Sequence, residues 1–321
     1  MGEALIDLIH RPDNDAPVAQ VGGSPFNVAI AMARLGLDVG FICPISRDEF
    51  GDKLVEVLRR EKIRQCICDR ANAPTAIAEV TTDVHGHPSY RFHRERTADR
   101  ALAAHPPVEA VPEDVKALHF GSLVLAQEDD WPAWRAAVIR ARERGAFIAL
   151  DVNVRLSLID NLDDHRRRVQ EAAELAHLIK ASDEDLIHMF PGTPPEDALK
   201  RWCRPSTVVV LTRGAEGCQL WACDNTAASY RSQEQVQIVD TVGAGDTFQA
   251  ALIAGFLARG GTVAELKQPE ATELLRYAAT SALLNCNRAG CQPPSREEVA
   301  QLLESKPPAR SPIPSEKGVD Q

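Results

Sequence analysis

Short apolar segments alternate with amphipathic helical segments along most of the chain, and this alternation constrains the fold more than any other feature. Helical patterns such as 131–145, which ends at a glycine, and 165–176 separate the apolar segments. Strands that are apolar on both faces and separated by helices are typical of a parallel sheet with helices on both sides. We therefore predict a three-layer α/β/α sandwich with a mostly parallel central sheet, whose functional site lies at the carboxyl ends of the strands. The predicted buried strands are 39–45, 117–123, 146–152, 177–182 and 207–214.

Two segments depart from this alternation and predict a small β lid. Residues 76–94 alternate apolar and polar side chains on both sides of a His85-Gly-His87 turn, which is typical of an antiparallel hairpin. The two histidines could bind a metal, but a role in the hairpin turn is favoured. We expect a single domain over 1–303, with a lid formed by about 8–20 and 74–98. A disordered, proline-rich tail is expected over 304–321.

Composition excludes several classes of function. Acidic residues outnumber basic ones, 46 to 36, and no basic cluster is long enough to follow a phosphate backbone, so no nucleic-acid partner is expected. No apolar stretch approaches the ~20 residues that span a bilayer, so no membrane partner is expected. The first residues lack a secretory signal, and the eight cysteines lack zinc-site spacing. We therefore expect a cytoplasmic protein with reduced thiols.

The segment QIVDTVGAGDTFQAALIAGFLARGG, residues 237–261, predicts an anion site. Gly243 and Gly245 permit a tight turn that brings successive backbone N–H groups to one side. A helix predicted from about residue 246 to 257 adds its unpaired N–H groups and its positive dipole end, which suits phosphate. Asp246 is either the N-cap of that helix or a base beside the anion site. Phe248 replaces the third glycine of a dinucleotide-binding G-x-G-x-x-G motif, which argues against hydride transfer.

Two further glycine-containing segments are less specific. In VGGSPFNVAIAMARLG, residues 21–36, a glycine pair precedes a helix, and Asn27 offers a donor and an acceptor at the start of that helix. In LTRGAEGC, residues 211–218, Thr212, Gly214 and Gly217 follow a buried strand. Each segment taken alone is explained by a turn or a helix cap.

In this order on an alternating α/β chain, the three segments resemble the PfkB family of ribokinase-like carbohydrate kinases, and the resemblance covers nearly the whole chain. DTVGAGDTFQAALI fits the C-terminal signature of the family at every defined position. GGSPFNVAIAMARLG fits the start of its N-terminal signature, although Ser46 stands where a glycine is expected. GEALIDL, RFHRERTAD, DVNVR, KASDEDL and LTRGAEGC look like the bacterial fructokinases. The family normally has several residues before GEALIDL, so the first strand is expected to be short.

The resemblance implies an ATP-dependent kinase that phosphorylates a hydroxymethyl group, most closely D-fructose to fructose 6-phosphate. Asp246 would be the general base, and the backbone of Gly243, Ala244 and Gly245 would be the anion hole. The sugar would be held by Asp7, Gly23, Asn27, Arg94 and Arg155, although either arginine could be only a surface charge. The nucleotide would be held by Thr212, Gly214, Gly217 and Asn285.

The resemblance also implies ions and a contact between subunits. Asp185 in KASDEDL would organise Mg²⁺ through water, with Asp183 as the alternative acid. Asp240 is the candidate ligand of a monovalent cation, K⁺, beside the anion hole. The β lid is a candidate homodimer contact, and the expected partners are otherwise a small sugar and ATP.

Two alternatives to fructokinase remain at the level of sequence. The first is a 2-keto-3-deoxygluconate kinase, because Arg94 and Arg155 would suit the carboxylate of that sugar, although Phe92 and His93 stand where tyrosines are expected. The second is a catalytically silent relative that binds sugar or nucleotide. A silent protein would be expected to lose the acid or the glycines of GAGD, and this chain keeps both.

Overall fold

The computed structural model describes residues 1–10, 16–82, 88–223, 226–232 and 237–305. Its strands are β1 (Leu5–His10), β2 (Val18–Gly22), β3 (Gly40–Phe41), β4 (Arg64–Gln65), β5 (Ala76–Thr82), β6 (Pro88–His93), β7 (Ala117–Gly121), β8 (Phe147–Asp151), β9 (Leu178–Ser182), β10 (Val208–Thr212), β11 (Cys218–Ala222) and β12 (Ala227–Tyr230). Its helices are α1 (Ser24–Arg34), α2 (Glu49–Arg60), α3 (Trp131–Glu143), α4 (Leu162–Leu175), α5 (Asp183–Met189), α6 (Pro195–Lys200), α7 (Ala244–Ala258), α8 (Gln268–Cys286) and α9 (Arg296–Ser305).

A six-stranded sheet with the strand order β12-β11-β10-β9-β8-β7 forms the centre of the fold. Strands β7 to β10 are parallel to one another, whereas β11 and β12 add antiparallel at one edge. The four parallel strands match the strands predicted between 117 and 214. The strand predicted over 39–45 is wrong as part of this sheet, because only Gly40 and Phe41 pair there, with β4. Pro44 lacks the N–H that a longer ladder would need.

Side chains alternate between the two faces of the central sheet, and helices cover both faces. On β10, Val209 and Leu211 join a buried cluster with residues of α3, α4, α5 and α6. Val208 and Val210 point to the other face and join a cluster with residues of α1, α7, α8 and α9. This two-sided burial is why the strands are mostly apolar. The predicted three-layer α/β/α sandwich is confirmed.

A separate four-stranded sheet with the order β2-β1-β5-β6 forms the predicted β lid. Strands β5 and β6 are an antiparallel hairpin with Ile77 opposite His93, as the period-two pattern predicted. Strand β1 joins the hairpin by pairing parallel to β5, and β2 pairs antiparallel to β1. The turn that contains His85 and His87 lies outside the described residues, so the choice between turn and metal roles stays open.

The end of the domain lies slightly later than predicted. Helix α9 continues through Glu304 to Ser305, two residues into the segment that was expected to be a tail. The remainder of that segment, 306–321, lies outside the described residues. No helix in the described part of the chain is long and apolar enough to cross a membrane.

The parallel strands bring polar residues together at one edge of the central sheet. Strands β8, β9 and β10 end at Asp151, Ser182 and Thr212, and Ser182 is paired with Thr212. Helices α1 and α7 share the buried cluster on one face of the sheet. The carboxyl ends of the strands and the start of α7 are therefore the place where a site can be built.

Candidate active site

A glycine turn begins α7, as the sequence predicted. Gly243 is the N-cap, and its φ of 75° is a left-handed conformation that favours glycine. A side chain there would also collide with Cys291. The N–H of Ala244 donates to the carbonyl of Thr241 at 3.1 Å. Of the three N–H groups predicted to bind the anion, this one is therefore already used within the turn. The start of a helix generally favours anions, so this turn remains a candidate anion site.

Asp246 lies one residue further into α7 than Gly245, and its carboxylate is buried between α7 and α1. The Ser24 hydroxyl donates to Oδ1 at 2.6 Å, and the Asn27 amide donates to Oδ2 at 2.8 Å. The N-cap interpretation is therefore wrong, because Gly243 occupies that position and no side chain caps the helix. Burial raises the pKa of Asp246, while the hydrogen bonds from Ser24 and Asn27 lower it.

Ser24 was missed at the level of sequence, although it lies in the predicted motif GGSPFN. It is the first residue of α1, three positions before Asn27, so both side chains lie on the same face of the helix. Gly23 precedes it as the N-cap with a φ of 106°. A side chain at Gly23 would approach the carbonyl of Glu3, so this position keeps the backbone close to β1.

Asp7 and Arg155 are electrostatic neighbours of Asp246. Burial raises the pKa of Asp7 to about 6, while the charge of Arg155 lowers it and the charge of Asp246 raises it. The charge of Arg155 also lowers the pKa of Asp246. The close approach of Asp7 to Gly22 explains the first glycine of the pair, since a side chain at Gly22 would collide with the Asp7 carboxylate. These residues form one polar cluster.

A buried ion pair at the ends of β8 and β9 was not predicted. Lys180 Nζ lies 2.9 Å from Asp151 Oδ2, and both residues are buried. The same Nζ lies 3.6 Å from the position that a Cβ on Gly245 would take, so its charge is adjacent to the glycine turn. Burial raises the pKa of Asp151 to about 6, although Lys180 lowers it. The sequence signal that could have indicated this pair is a lysine within an otherwise apolar strand.

Arg94 is buried and paired with two acids, and its predicted contact with the substrate stays a prediction. Its guanidinium is buried, with Nε 2.6 Å from Asp99 Oδ2 and Nη1 3.4 Å from Asp130 Oδ2. A buried cation needs such partners to offset its desolvation, and these acids supply them. Arg94 therefore stabilises the packing behind the lid.

The residues predicted to bind nucleotide divide into two groups. Thr212 ends β10, and Gly214 and Gly217, with φ of 50° and 102°, begin and end the turn that follows. This turn lies at the same edge as Ser182. Asn285 is fully buried, with its amide donating to the Val242 carbonyl at 2.8 Å and accepting from the Gln292 N–H at 2.9 Å, and its predicted role in nucleotide binding stays a prediction.

The loop before α7 carries an apolar surface that the sequence analysis did not single out. Ile238, Val239 and Val242 are 54%, 53% and 41% exposed, respectively. The Asn285 side chain fixes the end of this loop through the Val242 carbonyl. Exposed apolar side chains beside a glycine turn can contact a flat ring while the turn holds an anion.

The acids predicted to bind cations already accept backbone hydrogen bonds. Asp185 is buried, and its two oxygens accept from the N–H groups of Ser182 at 2.9 Å and Val154 at 2.7 Å. Asp240 accepts from Val242 at 3.0 Å and Gly290 at 2.8 Å. Within the described residues, no three His, Cys, Asp or Glu side chains form a group that could hold a metal ion. A divalent ion would therefore be held largely by water and phosphate oxygens.

Comparison with known proteins gives one consistent assignment. The family model described as pfkB family carbohydrate kinase matches residues 1–298. The chain is 32% identical to fructokinase-1 of Oryza sativa subsp. japonica, covering 95% of this chain and 96% of the rice protein. It is 35% identical to a fructokinase of Rhizobium leguminosarum bv. trifolii, covering 79% and 77%.

Solved structures agree with the sequence relatives. The crystal structure of a fructokinase with bound ATP from Xylella fastidiosa is 26% identical in sequence and has a TM-score of 0.83. The match covers 95% of this chain and 97% of that chain. Since the family model spans nearly the whole length, the chain belongs to the pfkB family of carbohydrate kinases.

Proposed function

We propose that this chain is an ATP-dependent fructokinase that converts D-fructose and ATP to fructose 6-phosphate and ADP. The observation that carries the proposal is the buried Asp246 carboxylate, held by Ser24 and Asn27 next to the glycine turn of α7. The fructokinases among its relatives support fructose as the sugar. The sugar hydroxymethyl group would lie between Asp246 and the phosphate held at the turn.

Asp246 is the general base in this proposal. The hydroxymethyl oxygen attacks the γ-phosphorus of ATP, the bond to the bridging oxygen of ADP breaks, and the hydroxyl proton passes to Asp246. The transition state is loose, so a carboxylate can accept the proton late in the reaction. The backbone N–H groups of the glycine turn and the positive end of α7 stabilise charge on the transferred phosphoryl oxygens. Lys180 adds a positive charge beside Gly245.

The remaining polar residues orient the sugar. Asp7 and Asn27 would bind its hydroxyl groups, and the backbone at Gly23 would allow the sugar to approach α1 closely. Arg155 would bind the substrate or the transferred phosphate, which its closeness to Asp7 and Asp246 supports. Holding the hydroxymethyl group in line with the phosphorus is the main contribution of these contacts.

ATP would bind across the ends of β9 and β10. The backbone of the turn after Thr212, which contains Gly214 and Gly217, would contact the nucleotide. Val239 and Val242 would contact the adenine ring. Mg²⁺, when bound, neutralises phosphate charge. Asp185 would organise it through water, and Asp151 offers Oδ1, a buried oxygen without a hydrogen-bond partner among the described residues. Asp240 remains the candidate ligand for K⁺, and a cytoplasmic location and a dimer through the β lid remain predictions.

A coupled ADP-release assay tests the substrate. We expect kcat/KM for fructose to exceed the values for 2-keto-3-deoxygluconate, ribose and adenosine by about 100-fold or more, because a site built from hydrogen-bonding groups rejects a poor hydroxyl match. A preference for 2-keto-3-deoxygluconate would assign Arg155 to a carboxylate and overturn the choice of fructose. Binding of ATP without phosphorylation of any of the four would support the catalytically silent protein.

A further inference from the structure

Two cysteine side chains meet at the end of the central sheet opposite the glycine turn. Cys203 follows α6 and is half-buried, while Cys223 follows β11 and is exposed. Their sulfur atoms are 3.1 Å apart, and both are thiols rather than a disulfide. A disulfide bond of ~2.05 Å would require them to approach by about 1 Å. The pair is therefore close to bonding geometry before any oxidation.

Rigid elements hold both members of the pair. The Cys203 N–H donates to the Lys200 carbonyl at 3.0 Å, and the neighbouring Trp202 is buried with its indole N–H 3.0 Å from Gln170. Cys223 directly follows Ala222, the last residue of β11, which pairs with Val208 of β10. The sulfurs are thus brought together by helix packing and strand pairing, which makes their closeness a property of the fold.

The other cysteines lie in different surroundings. Cys43, Cys218 and Cys286 are buried, Cys66 is half-buried, and Cys291 packs against the glycine turn at Gly243. Cys68 is exposed, and its sulfur lies 3.4 Å from the Gln65 carbonyl. Cys68 therefore provides an internal comparison, because it is an accessible thiol that is not in contact with the Cys203–Cys223 pair.

We propose that Cys203 and Cys223 are a site of reversible modification by a low-molecular-weight disulfide of the glutathione type. The exposed Cys223 thiolate attacks one sulfur of the reagent and releases one thiol, which leaves a mixed disulfide. The Cys203 thiolate then attacks the Cys223 sulfur, forms the protein disulfide and releases the second thiol. Two protein thiols are oxidised, the reagent is reduced to two thiols, and the two protons pass to the released thiolates.

The bridge would close a loop that contains β10, the turn after Thr212 and β11. Thr212 pairs with Cys218 at the turn end of this hairpin, whereas Val208 pairs with Ala222 at the cysteine end. The bridge would therefore restrict the unfolded chain while leaving the turn end of the hairpin in place. We expect a thermal midpoint higher by roughly 3 to 6 °C and an unchanged kcat. This inference does not depend on the proposed function.

Mass spectrometry of the full chain tests the proposal. The reduced protein is incubated with oxidised glutathione, remaining thiols are alkylated, and the protein is digested with trypsin. Cys218 and Cys223 share a tryptic peptide, so fragmentation between them must locate the bond. We expect a link between Cys203 and Cys223 that dithiothreitol removes, together with the shift in thermal midpoint.

Single variants separate bridge formation from simple exposure. In Cys203→Ser, the Cys223 thiol should stop at the glutathione adduct, and the thermal midpoint should not rise. Cys68→Ser should form the bridge as the wild type does. The proposal is overturned if wild-type Cys223 stops at the adduct, or if Cys68 is modified while Cys203 and Cys223 both stay reduced.

Discussion

Two side chains of α1 determine the state of the Asp246 carboxylate. Ser24 and Asn27 each donate to one oxygen, and both hydrogen bonds favour the ionised form that a general base requires. Burial acts in the opposite direction and raises the pKa of Asp246. The two donors therefore oppose the effect of burial, although each is more than 200 residues away from Asp246 in sequence.

We expect Ser24→Ala to move the acidic limb of the pH profile of kcat/KM to higher pH. Loss of this donor disfavours the ionised carboxylate, so the pKa of Asp246 rises, and the limb should move by about one pH unit. At pH values below the limb, kcat/KM should fall by about 10-fold, whereas at pH values well above it the change should be small. Ser281→Ala is the matched control, because the Ser281 hydroxyl donates to the Tyr277 carbonyl within α8. An unchanged acidic limb in Ser24→Ala would remove Ser24 from this role.

The charge of Lys180 can be tested apart from its contribution to stability. Lys180→Met should reduce kcat by about 100-fold, because a positive charge beside the transferred phosphate is lost. It also leaves Asp151 buried without its cation, at a cost of about 3–5 kcal/mol. The double variant Lys180→Met with Asp151→Asn should recover much of the unfolding free energy but little of the turnover. Recovery of both would show that the pair is only structural.

The contacts of single residues were the hardest feature to predict from the sequence. Asp246, Asp7 and Arg155 were proposed because their segments resemble known signatures. Ser24 was missed because its partner lies 222 positions away, and nothing local distinguishes it from a helix cap. The burial of Arg94 between Asp99 and Asp130 was not predicted, because Asp130 approaches only in the folded chain.

At the scale of elements, the turn that begins α7 depends on glycine for two reasons. Gly243→Ala must place a side chain at a φ of 75° and against Cys291. We expect kcat to fall by about 100-fold and the thermal midpoint to decrease, measured by steady-state kinetics and calorimetry. Adding Cys291→Gly should partly restore the midpoint. Gly145→Ala, at a φ of 78° with open space around it, should lower the thermal midpoint less, because only the backbone conformation is unfavourable there.

Gly243→Ala that retains wild-type kcat would contradict the role of this turn as an anion site. A thermal midpoint of Gly243→Ala no lower than that of Gly145→Ala would contradict the predicted collision with Cys291. The two measurements therefore test the chemistry and the packing of the turn separately.

Elements were predictable where burial is two-sided and the pattern is long. Strands β7 to β10 lie between helical layers, so their sequences are mostly apolar and have clear boundaries. The hairpin of β5 and β6 was predicted from its alternation. The short pairing of β3 with β4 was not, because an apolar run such as 39–45 has the same composition whether it joins the main sheet or packs beneath α1 and α2.

At the scale of the whole molecule, buried acids make stability depend on pH. Burial raises the pKa of Glu3 from 4.5 to about 7, although the charge of Arg94 lowers it. The folded protein therefore binds this proton more tightly than the unfolded chain does. Its stabilising contribution is complete below pH 4.5 and is lost as pH rises through about 7.

We expect the unfolding free energy of the wild type to fall relative to Glu3→Gln between pH 5 and 8, by on the order of 2 kcal/mol. Urea unfolding of both proteins at each pH measures the difference. Comparing the two proteins cancels the opposite contribution of His165, whose pKa burial lowers to about 4. For the exposed substitution Glu113→Gln, the difference in unfolding free energy from wild type should be the same at every pH. A pH-independent difference in unfolding free energy for Glu3→Gln would contradict the raised pKa of Glu3.

Asp246 is proposed as the acceptor of the sugar proton, and the Asp246→Asn variant tests this role most directly. Asparagine keeps the shape and an oxygen acceptor for α1 but cannot take the proton. We predict that kcat with fructose falls by about 1,000-fold, while the Kd for ATP and the thermal midpoint stay close to wild type. Turnover within a few-fold of wild type, measured on protein free of contaminating kinase, would contradict the central claim.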